Sequence, residues 1–582
     1  MLQMISWLAQ RKKAFNRWIR KRLPRIVKNM NFIAQPRYIL GAIIVFAFFM
    51  RIVGIGYGLP LWLVSDEPPF VAAALKIFEA KNPILAMNSS AFEPIIYFPP
   101  YFAYILLFPF TLLLGAQYLF FNGTLQDFVQ YIAADPSRFF IVSRLINVLA
   151  GVATVYLVYK IAKNVFQNTR SALFSAFFLA SSILHINLSS VGRDWVLATL
   201  LFTIIVFFVT HPVFSFKKRY CMGSVISGIA FGVNLAGGFP MLFMFFWYLF
   251  AEKHSVIEAL KEKILYCSLF IFLFLAGASI ALYPFGFHLA SDSSILGPKT
   301  LVGFILSPFV FFRPVLISEP ILTFFVMVGL IASFRTARTF FYSVLIFLVS
   351  YAAIYYGIFY YAHRFTIYAF PLFSLLAGYG ASMLTRHLSK SSAYMIISAV
   401  VVLLSAMAFR LDWLVLQNDS RAQAREWAEN NLPQNAYVIV YGRLMRLSST
   451  QSAIEEQRAI DQQSLRSIDR AEQYFKKNPR AKKSFHALNI HGINEKFFET
   501  IAQYAKDNNY SYVIFAESEN MEDQFELARL RALAKNSKLL VAFGSPQQHT
   551  AIDESFFGTP LEVIRLPSLG PAVFIYELYH PL

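Results

Sequence analysis

Apolar residues dominate the chain from Tyr38 to Phe409 in long blocks with short polar interruptions, and charged and amide residues return at globular density from Leu411 onward. A helix needs about 20 apolar residues to cross the hydrocarbon of a bilayer. Segments 38–58, 139–160, 171–190, 195–212, 221–236, 238–251, 264–285, 318–334, 339–357, 365–384 and 393–410 meet or approach that length, which predicts eleven spans. One more apolar stretch, 99–121, is assigned to an interfacial or re-entrant helix. That choice leaves Lys160, Lys163, Arg170, Lys217, Lys218, Arg219, Arg335, Arg338, Arg386, His387 and Lys390 on a single side. Positive loops stay cytoplasmic, so the N-terminus is placed inside and the polar tail outside. The pattern therefore predicts a polytopic α-helical membrane protein with a transmembrane part over 38–410, a large first outer loop over 59–138, and an extracytoplasmic soluble domain over 411–582.

In that tail, SRAQAREWAENNLP reads as a helix closed by Pro433, and AYVIVYG, YSYVIFAES, KLLVAFGS and AVFIYELY read as strands with helical stretches between them. A small α/β domain is the expectation. The first 37 residues carry Arg11, Lys12, Lys13, Arg17, Arg20, Lys21, Arg22, Arg25 and Lys28 among Trp7, Phe15 and Trp18, the pattern of a basic amphipathic helix on an anionic cytoplasmic leaflet. No cleavable signal pattern precedes the first span, which is read as an uncleaved anchor.

Composition sharpens this picture. Hydrophobic residues make up 57% and charged residues 15% of the chain, against about 45–50% and 25% in soluble domains. That excludes an ordinary cytosolic enzyme. The net charge of +19 collects at the cytoplasmic ends of the spans and reads as a topology determinant, not as a nucleic-acid footprint. Two cysteines, Cys221 and Cys267, offer neither a disulfide framework nor a cysteine metal site.

Ionisable groups at or near membrane depth are costly and mark function. Ser65-Asp66-Glu67-Pro68-Pro69 follows the first span, and Arg193-Asp194 sits at the mouth of a later one on the same predicted face. Adjacent carboxylates on a proline-fixed turn can divide the roles of base and binding group, although Asp66 before Pro68 also fits helix capping, as does Asp194 before an apolar helix. Glu93, Tyr97, Arg144, His288, Asp292, Lys299 and the His363-Arg364 pair are further outer-face candidates. Guanidinium and ammonium groups there suit an anionic lipid headgroup, since a phosphate takes several donors. No Asp-x-Asp occurs in the first outer loop, and a divalent cation near Asp66-Glu67, Glu93 or His288 is left open.

Arg51…Tyr57-Gly58-Leu59-Pro60…Asp66-Glu67-Pro68, then Tyr97-Phe98-Pro99-Pro100, Ser143-Arg144-Leu145 and Ser189…Arg193-Asp194 together resemble the GT-C superfamily of glycosyltransferases. More narrowly they resemble its protein O-mannosyltransferase and aminoarabinose transferase branch, glycosyltransferase family 39-like. Arg364-Phe365…Pro371 and Arg421…Ala424…Trp427…Asn431-Leu432-Pro433 agree with that branch, although it often has tyrosine where Phe365 stands.

The resemblance implies an integral membrane enzyme of the bacterial inner membrane. It would move a sugar from a polyisoprenyl-phosphate donor to a protein, lipid or glycan acceptor at the extracytoplasmic face by inverting displacement. It further implies Asp66 as the general base, with Glu67 orienting the acceptor or a cation and Asp194 supporting the same site. Arg193, Lys299, Arg364 and His363 would bind the donor phosphate, and Glu93, Tyr97 and Arg144 would support the acceptor side. A lipid or solute transporter or flippase, and an inactive scaffold subunit of a glycan-assembly complex, fit the same composition. A transporter should show repeat symmetry and midplane charges, whereas these acids cluster at one face.

Overall fold

The computed structural model describes residues 35–64, 67–80, 101–251, 269–278, 301–358, 363–442, 444–460, 483–491, 493–517, 524–544 and 559–579. The membrane part opens with α1 (Pro36–Ile52), α2 (Pro68–Ala80), α3 (Tyr101–Leu119) and α4 (Leu125–Ala134). It continues through α5 (Ser137–Phe166), α6 (Thr169–Ser181), α7 (Ile183–Ser189), α8 (Trp195–Thr210), α9 (Phe216–Val233) and α10 (Pro240–Ala251). After α11 (Leu269–Ala278) come α12 (Leu301–Ser318), α13 (Pro320–Thr336), α14 (Arg338–Ile358), a 3-10 turn over His363–Ala369, α15 (Phe370–Arg386) and α16 (Lys390–Leu416).

By length and composition, Tyr101–Leu119, Ser137–Phe166, Arg364–Arg386 and the helical run from Lys390 are long and apolar enough to cross a membrane. The pair α6 and α7 passes that test only as a single broken unit, bent by 60°. Segment 99–121 was expected to lie at the interface or re-enter. Its helix α3 carries no charged residue and has the length and composition of a span. Phe108, Leu112 and Leu119 on α3, and Tyr394, Met395 and Val402 on α16, are exposed. Apolar faces of this extent suit a hydrocarbon solvent.

Small residues let the central helices approach closely, the packing mode that replaces the hydrophobic effect within lipid. A Cβ on Gly329 would lie 2.0 Å from the Leu376 carbonyl oxygen, and one on Gly378 would lie 2.1 Å from Ser175 Oγ. Helices α13, α15 and α6 therefore form one tightly packed stack. Their wide apolar core extends through Phe325, Leu372, Leu375 and Leu179.

The tail folds as expected into an α/β unit, with one strand more than the sequence pattern gave. Its elements are α17 (Ser420–Asn431), β1 (Tyr437–Tyr441), α18 (Gln451–Ile460), β2 (His486–Asn489), α19 (Glu495–Asp507), β3 (Tyr512–Ala516), α20 (Gln524–Ala534), β4 (Lys538–Phe543), α21 (Pro560–Arg565) and β5 (Val573–Glu577). The strands run in the order β2-β1-β3-β5-β4. β1 is parallel to β2 and β3, while β5 is antiparallel to β3 and β4. The period-two alternation of each strand separates two cores: Val438, Val440 and Ile514 face α17, and Ile439, Tyr441 and Val513 face α19 and α20.

This domain is tied directly to the membrane part. The Arg410 guanidinium reaches the carbonyls of Val563 and Leu566, and Tyr57 Oη donates to Asp419 Oδ2.

Candidate active site

One turn of α5 organises the site. Ser143, Arg144 and Asn147 are fully buried and face the chain between α7 and α8. Ser143 Oγ donates to Gly192 O at 3.2 Å, and Asn147 Nδ2 donates to Val191 O at 2.5 Å and to Arg193 O. Three consecutive loop carbonyls are thereby pinned to one helix. The Arg144 guanidinium works in two directions. Its Nη1 donates to Ile55 O at 2.9 Å and Tyr57 O at 2.7 Å, while Nε and Nη2 fork onto Glu67 Oε1 and Oε2 at 2.7 and 2.6 Å.

Glu67 closes the knot by accepting Gly192 N–H on Oε1 at 2.6 Å. The turn after α1, the start of α2 and the α7–α8 loop thus meet at one buried carboxylate. A Cβ on Gly192 would lie 2.7 Å from both Glu67 Oε1 and Ser143 Oγ, so only glycine permits this approach. Glu67 is therefore held as an anchor for the loops around it.

The next residues of the loop carry the charge. Asp194 precedes α8 but makes no side-chain cap bond, which removes the bland reading of it as a capping residue. Its Oδ2 accepts from Asn234 Nδ2 at 2.7 Å, while Oδ1 is buried and has no hydrogen-bond partner among the described residues. Burial pushes its carboxyl above the usual range, against the opposing pull of Arg193, Asn234 and Arg364. Beside it, the Arg193 guanidinium lies 3.7 Å and the Arg364 guanidinium 5.0 Å from the centre of the buried Trp195 ring. Two guanidinium groups on one indole bring positive charge beside Asp194, in geometry that suits a bidentate anion. Tyr351 Oη, donating to Phe365 O at 2.7 Å, fixes the turn that carries Arg364.

The structure thus brings together Glu67, Arg144, Arg193, Asp194 and Arg364. Asp66, Glu93, Tyr97, His288, Asp292 and Lys299, and the side chain of His363, lie outside the described residues. Asn147 and Asn234 were missed by the sequence reading. Their signal is a neutral amide among apolar helical residues, four positions after Ser143 in the first case and at the end of α9 in the second. Among the described residues, no three His, Cys, Asp or Glu side chains converge to hold a metal ion.

Residues 125–281 match the family described as dolichyl-phosphate-mannose-protein mannosyltransferase. Among curated proteins, none matches the chain. Among solved structures, an oligosaccharyltransferase from Archaeoglobus fulgidus, crystallised with Zn and sulfate, is 14% identical with a TM-score of 0.43, covering 82% of this chain and 68% of that one. ArnT from Cupriavidus metallidurans bound to undecaprenyl phosphate is 11% identical with a TM-score of 0.42, covering 86% of this chain and 95% of that one. The family match and the ordered motifs point the same way: over residues 125–281 the chain is similar to the dolichyl-phosphate-mannose-protein mannosyltransferases.

Proposed function

We propose that this enzyme transfers a sugar from a polyisoprenyl-phosphate donor to an acceptor hydroxyl at the extracytoplasmic face, with inversion at the anomeric carbon. The observation that carries the reading is the Arg144 fork, which joins Glu67 to the loop bearing Arg193 and Asp194. Asp66 is the covalent neighbour of Glu67, so the base and the cationic pocket share one scaffold.

In the reaction, the acceptor oxygen attacks the anomeric carbon as the bond to the phosphate oxygen breaks. Asp66 takes the hydroxyl proton. The electron pair of the broken bond leaves on the lipid phosphate, where Arg193 and Arg364, with Lys299 and His363, neutralise it. A phosphate leaving group needs positive charge and no proton, whereas a hydroxyl nucleophile needs a base. Asp194 holds the cationic pair in place, and Glu93 and Tyr97 are assigned the support of the acceptor. The soluble domain, tied to the same region through Tyr57 and Asp419, guides acceptors toward the site or covers it.

Charge at the helix ends supports the outer-face assignment. Arg144 stands near the start of α5 with Lys160 and Lys163 near its end, Asp194 precedes α8 with Lys217 and Lys218 beyond it, and Arg364 precedes α15 with Arg386 at its end. The basic ends belong in the cytoplasm, which puts the site opposite. We place the enzyme in a bacterial inner membrane.

The test reconstitutes the protein in vesicles with radiolabelled polyprenyl-phosphate sugars and candidate acceptors, and reads the anomeric configuration of the product by NMR. Transfer with inversion supports the reading. Retention of configuration contradicts the displacement, and no transfer from any donor moves the weight to a scaffold.

A further inference from the structure

The loop that carries Gly192, Arg193 and Asp194 is delivered by α7, and α7 begins at a break. Helix α6 stops at Ser181 and α7 starts at Ile183 after a bend of 60°. Such a break frees carbonyls at the end of one helix and N–H groups at the start of the next, and at membrane depth no water is present to take them.

Two buried charged side chains from elsewhere in the fold supply the partners. Arg51, in the last turn of α1, donates through Nη2 to Leu179 O at 3.0 Å and through Nη1 to Ala180 O at 3.2 Å, which satisfies the last carbonyls of α6. Glu319, immediately before α13, accepts Ser182 Oγ at 2.7 Å and Leu184 N–H at 3.1 Å, which satisfies the start of α7. The cation meets acceptors, the anion meets donors, and the two residues act on opposite sides of the same break. Arg51 Nη2 also lies 2.8 Å from His185 Nδ1, and Ser189 Oγ donates to His185 O at 2.6 Å, so the contacts continue along α7 to its last residue. Gly151 on α5 leaves room for this: a Cβ there would lie 2.6 Å from Ser189 Oγ and 3.0 Å from Arg51 Nε.

We propose that Arg51 and Glu319 are positioning residues for the transfer reaction, fixing the α6–α7 break and through it the placement of Arg193 and Asp194. The link to catalysis rests on the transferase reading above; the fixing of the break does not. Ionised side chains are costly at this depth, and packed apolar residues would serve a continuous helix better. Their use at a break, one turn or two from the site, is what a preorganised loop requires.

The test combines hydrogen exchange with kinetics on the purified full-length protein. Glu319→Gln keeps an acceptor for Ser182 and Leu184, whereas Glu319→Leu and Arg51→Met remove the bonds. In the Leu and Met variants, amides 183–194 are expected to exchange about ten-fold faster or more, the scale of one lost charge-assisted hydrogen bond. Those of β1 and β3 stay at wild-type rates, which excludes general unfolding, and Glu319→Gln stays close to wild type. In the transfer assay kcat falls by up to about 10²-fold, as displacement by a fraction of an ångström can cause, with the donor KM less affected. Unchanged exchange across 183–194 in Glu319→Leu overturns the proposal, as does a Gln variant that behaves like Leu. Wild-type protein that transfers no sugar sinks the transferase reading instead, and the exchange comparison alone then decides whether Arg51 and Glu319 hold the break.

Discussion

Arg144 and Glu67 meet through two parallel bonds, Nε to Oε1 at 2.7 Å and Nη2 to Oε2 at 2.6 Å, with both side chains shut off from solvent. Removing one member leaves a buried, unpaired charge, at a cost of about 3–5 kcal/mol. Arg144→Met is therefore expected to lower the unfolding midpoint markedly in detergent. Arg144→Lys keeps the charge but cannot fork onto Glu67 while also reaching Ile55 and Tyr57. It should retain more stability than Met yet lose most of the transfer activity. A Lys variant with wild-type rates contradicts the scaffold role.

Gly192→Ala introduces a methyl group 2.7 Å from both Glu67 Oε1 and Ser143 Oγ. Neither neighbour can withdraw without breaking its own hydrogen bond, to Gly192 N–H and Gly192 O respectively. Activity should fall by about 10²-fold or more, the scale on which small displacements of positioned groups act. The change should appear in kcat at saturating donor. Gly56, which has open space around it, serves as the control: Gly56→Ala is expected to be near neutral.

Asp194 supplies a pH test. Its carboxyl pKa is raised from 3.8, first by burial. Between 3.8 and the raised value the folded protein binds more protons than the unfolded chain, so stability from this group falls as pH rises through that window. Unfolding midpoints of wild type and Asp194→Asn, measured from pH 3 upward as about one-unit steps, should show the wild type losing ground relative to Asn as pH increases. A difference that is flat or grows in favour of wild type contradicts the buried environment. Activity should run the other way, because only the ionised form holds Arg193 and Arg364 in place.

Tyr57 connects the two parts of the chain. Its carbonyl accepts from Arg144 and its hydroxyl donates to Asp419, which also receives the Arg421 guanidinium at 2.9 Å on both oxygens. Tyr57→Phe leaves the Asp419–Arg421 pair intact and removes only the tether. Limited proteolysis between Leu416 and Ser420 should accelerate, while the membrane part keeps its unfolding midpoint. Unaltered cleavage would show that the contacts of Arg410 with Val563 and Leu566 hold the domain by themselves.

The hydrophobic pattern made the two-part architecture and four of the five strands legible, because each rests on local periodicity. β2 escaped because His486-Ala-Leu-Asn489 is short and ends in polar residues, and it is recruited by parallel pairing with β1, a tertiary contact. For segment 99–121 two signals differ: the charge of the neighbouring loops favours an interfacial or re-entrant helix, whereas the uncharged length of α3 alone matches a span. At the site, Arg144, Arg193, Asp194 and Arg364 stood out as charges beside apolar helices. What could not be read was their mutual address: Glu67 bonds Arg144 across 77 residues of chain and Gly192 across 125. Asn147, Asn234 and Glu319 gave a weaker signal, since an amide or a lone acid in such a chain has no visible partner until the helices pack.

The central claim is that a carboxylate next to Glu67 takes the proton from the acceptor, and the most direct measurement is the single-turnover transfer rate of Asp66→Asn against wild type at saturating polyprenyl-phosphate sugar. The account expects a fall of about 10²–10⁴-fold, the usual contribution of a general base, with donor binding unchanged because the cationic groups around Trp195 are untouched. Equal rates in the two proteins would contradict it.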